Sequence, residues 1–110
     1  MNKLAENHND LGTTSQYWWL FGRSGGITRI KIVNLLLERP YNTNQLSTKL
    51  KMSYRNIKHH LKLLEQANIV FVNHIKYGKL FILRPDFDIK LFNEIINNSY
   101  LDLEEVVAKK

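Results

Sequence analysis

From Ser53 to Lys62 the chain reads Ser-Tyr-Arg-Asn-Ile-Lys-His-His-Leu-Lys, mixing hydrogen-bond donors with aliphatics at helical spacing. At about 100° per residue, Ile57, Leu61 and Leu64 share one face, Arg55, His59 and Lys62 lie opposite, and Lys58 sits on the flank. Arg55 can donate two bonds to the N7 and O6 of one guanine, Lys58 and Lys62 can meet phosphate or base, and Tyr54 and His59 a base edge or the backbone. Further along, His74, Lys76, Tyr77 and Lys79 surround Gly78. The candidate nucleic-acid contacts are therefore Ser53, Tyr54, Arg55, Lys58, His59, Lys62, His74, Lys76, Tyr77 and Lys79. His60 falls beside the Ile57 and Leu61 stripe and reads instead as a partly buried, hydrogen-bonded structural residue.

Several elements must position these groups. Residues 1–13 are polar and aperiodic and read as a flexible tail. Thr14 or Ser15 can cap a short aromatic helix that Gly22 closes. Gly22-Arg23-Ser24-Gly25-Gly26 lacks the Gly-Lys-Ser/Thr ending of a phosphate loop and reads as a flexible connection. Ile27 to Glu38 repeats Ile30, Val33, Leu36 and Leu37 at helical spacing, with Arg29 and Lys31 off that stripe, and Pro40 stops it. Asn42 or Thr43 can cap a short helix to about Leu50, with Leu46 and Leu50 inward and Gln45 completing a capping box on Asn42. Ser53 caps a third helix to about Ala67, and Asn68 can take the left-handed position after it. Ile69–Ile75 and Lys79–Leu83 are rich in β-branched and aromatic residues, and Gly78 supplies the turn of a hairpin. Asp86 or Asp88 can cap a last amphipathic segment, with a break at Asn97-Asn98-Ser99.

Helix, short helix, tight turn, helix and basic hairpin is the order of a winged helix-turn-helix: mainly α with a small β-hairpin, here with extra N- and C-terminal helices. Thr28-Arg29-Ile30-Lys31-Ile32-Val33-Asn34-Leu35-Leu36 is similar to the first core helix of the ArsR-like transcriptional regulators. The run from Met52 to Leu64 resembles their recognition helix, with His60-Leu61 ahead of aliphatics, and Asn68-Ile69-Val70 stands where that family usually has Gly-Leu-Val. The resemblance spans roughly residues 27–84. It implies a usually dimeric DNA-binding regulator whose recognition helix enters the major groove. Metal sensing through cysteine thiolates is frequent in that family, and this chain has no cysteine.

Charge and composition narrow the function further. Residues 23–84 carry twelve bases against Glu38 and Glu65, for +10, between ends of −1 (1–22) and −3 (85–110). A basic centre between acidic ends fits a polyanion-binding module with flanks that do another job. Acidic residues are nearly absent from residues 23–84, so paired catalytic carboxylates are not expected there, and no nucleophile elbow or Ser-His-Asp arrangement marks an enzyme. His8, His59, His60 and His74 have no compact ligand spacing, so neither a metal nor any cofactor is expected. The absence of cysteine suits a reducing cytoplasm, and no apolar run approaches a membrane span.

A chain of 110 residues suits one compact domain, excludes two independent cores, and leaves a small core that association would help. The organisation expected is a tail at 1–13, a winged-helix domain at 14–85 including the N-terminal helix, and one or two dimerisation helices at 86–110. Trp18, Trp19, Leu20 and Phe21 are too apolar for a free surface helix and are expected to pack partly on the core and partly on a second subunit; Trp18, Trp19 and Phe21 with Phe92, Ile96, Leu103 and Val107 supply more apolar surface than a winged helix needs and are the expected homodimer interface. The function expected is sequence-specific binding of double-stranded DNA by a dimeric transcription regulator, with helix 54–67 in the major groove and the wing, 69–84, on the backbone or in the minor groove. The alternatives are a winged helix used for RNA or protein contact in a larger assembly, or nonspecific chromatin-type coating of DNA.

Overall fold

A computed structural model describes residues 2–23, 25–76 and 78–98, with residues 2–11 described by backbone alone. Helices α1 (Asn2–Phe21), α2 (Gly26–Glu38), α3 (Thr43–Leu50) and α4 (Tyr54–Gln66) precede strands β1 (Val70–Ile75) and β2 (Gly78–Leu83), and α5 (Ile89–Asn98) follows. This is the winged helix-turn-helix order with a helix added at each end. The chain divides into two compact units, one of residues 28–87 and the other of the terminal segments 1–27 and 88–110.

In the 28–87 unit, Ile30, Ile32, Val33 and Leu36 of α2, Leu46 of α3, and Ile57, Leu61 and Leu64 of α4 are buried. Leu37, read from the periodicity as inward, is exposed, and Arg29, read as outward, is buried. The apolar stripe of α2 is thus carried by Ile32 in place of Leu37. The hairpin is antiparallel, with Val70 opposite Leu83 and Ile75 opposite Gly78. Gly78 has φ 143°, a backbone state that side chains resist, so the turn lies where the glycine allows it. Tyr41, extended after Pro40, exchanges both backbone hydrogen bonds with Phe81, 3.3 Å and 2.8 Å, and forms an isolated bridge to β2. That bridge ties the wing to the α2–α3 connection.

The terminal unit departs from the sequence reading in two ways. Helical backbone begins at Asn2, so Thr14 and Ser15 lie within α1 rather than at its cap; no proline interrupts residues 2–21 to prevent it. And α1 groups with α5, not with the winged-helix segment. The reason is aromatic packing: Phe21 meets Phe92 edge to face at 4.9 Å and Tyr17 at 5.6 Å between ring centroids. The Tyr17 hydroxyl accepts the backbone N–H of Asp88 at 3.0 Å, while the Asp88 carboxylate caps α5 by accepting from Leu91 N–H at 2.9 Å. The helix of α1 closes at Gly22, whose N–H donates to the Trp18 carbonyl.

Gly26 opens α2 against the end of α1, where a Cβ would stand 2.5 Å from the Phe21 carbonyl oxygen. Gly12, within α1, has nothing within 4 Å of the same position. Replacing Gly12 by Ala therefore raises stability by about 0.5–1 kcal/mol, as expected for an open helical site. Replacing Gly26 by Ala lowers it despite the better propensity, because backbone must move. Urea denaturation of both variants beside the parent checks the opposite signs.

Candidate nucleic-acid interface

Helix α4 owes its start to Ser53, whose Oγ accepts the Asn56 N–H at 3.1 Å. The preceding turn is made by Lys51 in the left-handed region, φ 55°, and by the Ser47 hydroxyl, which donates to the Met52 carbonyl. Helix α3 carries a full capping box, with Asn42 N–H donating to Gln45 Oε1 at 2.9 Å and Gln45 N–H to Asn42 Oδ1 at 2.7 Å. After α4, Asn68 at φ 59° turns the chain into the wing.

With Ile57, Leu61 and Leu64 buried, Tyr54, Arg55, Lys58, His59 and Lys62 are all exposed. Ser53 is exposed as well. Among the described residues no carboxylate pairs with Arg55, Lys58, Lys62 or Lys79; the ion pair seen is Arg84 with Asp86 at 3.3 Å, below the wing. His74 and Lys79 face each other across the hairpin, and Lys76 stands at its exposed tip. Tyr77 lies outside the described residues. The start of α4 and the turn end of β2 meet at a cavity of about 360 Å³, bounded by Asn44, Tyr54, Lys58, Gly78 and Lys79. The structure thus brings Tyr54 and Lys58 of the helix beside Lys79 of the hairpin.

Behind the exposed face lies a polar contact that periodicity alone does not find. Arg29 of α2 is 6% exposed, and its Nη1 is 3.1 Å from Nδ1 of His60. A guanidinium only donates, so the imidazole nitrogen accepts, leaving the ring proton on Nε2. Burial holds the Arg29 guanidinium below its ordinary pKa. Burial first, then the charge of Arg29 and of His59, lowers the pKa of His60 as well. His60 is half-buried, in line with its position beside the apolar stripe. Tyr41, also unassigned from sequence, is buried with Arg39 over its ring at 4.6 Å.

The residues expected at a dimer interface divide. Trp18 and Trp19 are 37% and 47% exposed on α1. Phe21, Phe92 and Ile96 are buried within the protomer, so their apolar surface is already covered. Leu103 and Val107 lie outside the described residues. Among the described residues no group of His, Cys, Asp and Glu could hold a metal ion, and no helix is long and apolar enough to cross a membrane.

Comparisons with known proteins agree with this geometry. Residues 27–71 match the family described as "Bacterial regulatory protein, arsR family". HlyU from Vibrio cholerae superposes with a TM-score of 0.64 at 15% identity, over 90% of this chain and 96% of that one. The reduced form of the same protein gives 0.59 at 15% identity, over 93% and 100%. The homodimeric winged helix-turn-helix DNA-binding domain Mb0332 from Mycobacterium bovis, described as a possible ArsR-family transcriptional regulator, gives 0.66 at 13% identity, over 86% and 87%. No curated protein matches the sequence. At these identities the solved structures establish the fold, while the family match covers the helix-turn-helix and the entry into the wing.

The Ser53 cap is a local device with a measurable value. Ser53→Ala removes the acceptor of the Asn56 N–H and lowers stability by about 1 kcal/mol, whereas Ser53→Asp retains it. Denaturant midpoints at unchanged m-value check the difference.

Proposed function

We propose that this chain, an ArsR-like winged helix-turn-helix protein over residues 27–71, is a dimeric regulator of transcription that binds double-stranded DNA sequence-specifically in the cytoplasm. The observation that carries this reading is the exposed row of Tyr54, Arg55, Lys58, His59 and Lys62 on one helix, with Lys79 of the wing beside its start. Helix α4 lies in the major groove, which admits one helix and presents a distinct donor and acceptor pattern for each base pair. Arg55 reads a guanine through two hydrogen bonds. Lys58 and Lys79 converge on the cavity beside Tyr54, where a backbone phosphate fits between them. The tip, with Lys76 and His74, follows the phosphates or the adjacent minor groove.

One recognition helix spans too few base pairs to define a genomic site, so two copies are needed. Trp18 and Trp19 supply exposed aromatic surface on α1 for that pairing, and the homodimeric state of the Mycobacterium bovis domain agrees with it. With about four phosphates neutralised per protomer and about eight per dimer, log K falls with log salt at a slope near −7. No catalytic, metal or cofactor role is assigned to any residue.

Titration of duplexes at several salt concentrations tests the assignment of faces. Arg55→Ala costs roughly 1–3 kcal/mol and relaxes choice at one base position. Lys76→Ala weakens all duplexes alike and reduces the slope by about one phosphate per protomer. If both variants bind as the parent does, the faces are wrongly assigned. Replacing Trp18 and Trp19 together by Ser yields a monomer in sedimentation; an unchanged dimer removes α1 from the interface.

A further inference from the structure

The contact between Arg29 and His60 has a continuation toward the exposed face. The rings of His59 and His60 stand 5.5 Å apart at 62°, edge to face. A buried guanidinium on α2 therefore holds the Nδ1 edge of His60, and His60 in turn abuts the ring of the exposed His59. We propose that Arg29 and His60 form a positioning relay that fixes α4 on α2 and sets the ring of His59 for contact with the duplex. The role of His59 rests on the duplex-binding reading; the relay itself rests only on the geometry.

Three features make this more than a packing contact. Arg29 is charged yet almost fully covered, and a buried charge is kept only where its donors are met. Its long-range bond to His60 crosses from α2 to α4, so it restrains sliding and rolling of the helix more sharply than aliphatic contacts do, because hydrogen bonds are directional. And the acceptor is available only while His60 is neutral. A proton on Nδ1 replaces the lone pair with a donor facing the guanidinium, and the charged groups acting on this ring are Arg29 from α2 and His59 from α4, with no carboxylate among them.

The folded state holds the proton of His60 less tightly than the unfolded chain does, so His60 costs no stability where both states are neutral. Stability falls as pH drops through the imidazole range, where the unfolded chain takes up the proton first. DNA binding that depends on the relay weakens in the same direction.

The experiment compares the parent, His60→Asn, which keeps a non-titrating acceptor, and His60→Leu, which has none. Long-range nitrogen-proton spectra of the parent at about pH 7.5 show His60 protonated on Nε2 and bare at Nδ1; a proton on Nδ1 overturns the relay. On a duplex enriched from a random pool, His60→Asn binds within about twofold of the parent, and His60→Leu roughly tenfold more weakly. Between about pH 7.5 and about pH 5.5 the parent loses roughly three- to tenfold more affinity than His60→Asn, the other imidazoles being common to both. Equal pH profiles, or full binding by His60→Leu, contradict the relay. Should His60→Leu not fold, the tautomer and the parent-to-Asn comparison still decide. A pool that enriches no duplex overturns the DNA reading and the role of His59, while the tautomer decides the Arg29–His60 contact separately.

Discussion

Burial of Ile57, Leu61 and Leu64 sets the rotation of α4 about its own axis, and each residue's exposure along that helix follows from it. Covering three such side chains is worth about 1.5–3 kcal/mol apiece. A rotation by one residue would wet them and turn Lys58 toward the interior, so the apolar stripe and the cationic face are two consequences of one packing choice. The caps then define where the helix starts. Ser53 begins α4 immediately before Tyr54 and Arg55, and the left-handed Lys51 brings α3 to its end just ahead of it. The wing is held to the same body through the exchange between Tyr41 and Phe81, which is why Lys79 stands beside Lys58.

Local chemistry was legible wherever a residue and its partner lie within a few positions. The capping box of Asn42 and Gln45, the caps of Ser53 and Asp88, the left-handed Asn68 and the turn at Gly78 all depend on side chains or backbone states that operate over three or four residues. Helix and strand limits near them were readable to within a residue or so. Contacts across the sequence were not. Arg29 scores as a polar residue in any periodicity, and nothing near it marks His60, thirty-one positions away, as its acceptor. Tyr41 follows a proline that ends one helix, yet its pairing with Phe81 depends on where the hairpin returns.

The aromatic residues show the same limit from the other side. Phe21 and Phe92 look like surplus apolar surface when counted along the chain, because their mutual edge-to-face contact closes only after α1 and α5 come together. Trp18 and Trp19, on the same helix, remain exposed. Within the terminal unit Phe21 therefore packs against both Tyr17 and Phe92. The family match, residues 27–71, likewise leaves the terminal helices outside it.

Selection of bound duplexes from a random pool probes the cationic face most directly, because it reads sequence choice and symmetry in one measurement. A consensus with two inverted half-sites about one helical turn apart, each containing a guanine whose replacement is no longer discriminated by Arg55→Ala, is the predicted result. Recovery of duplexes without any shared sequence, or equal retention of single strands, would contradict a groove-reading role for α4.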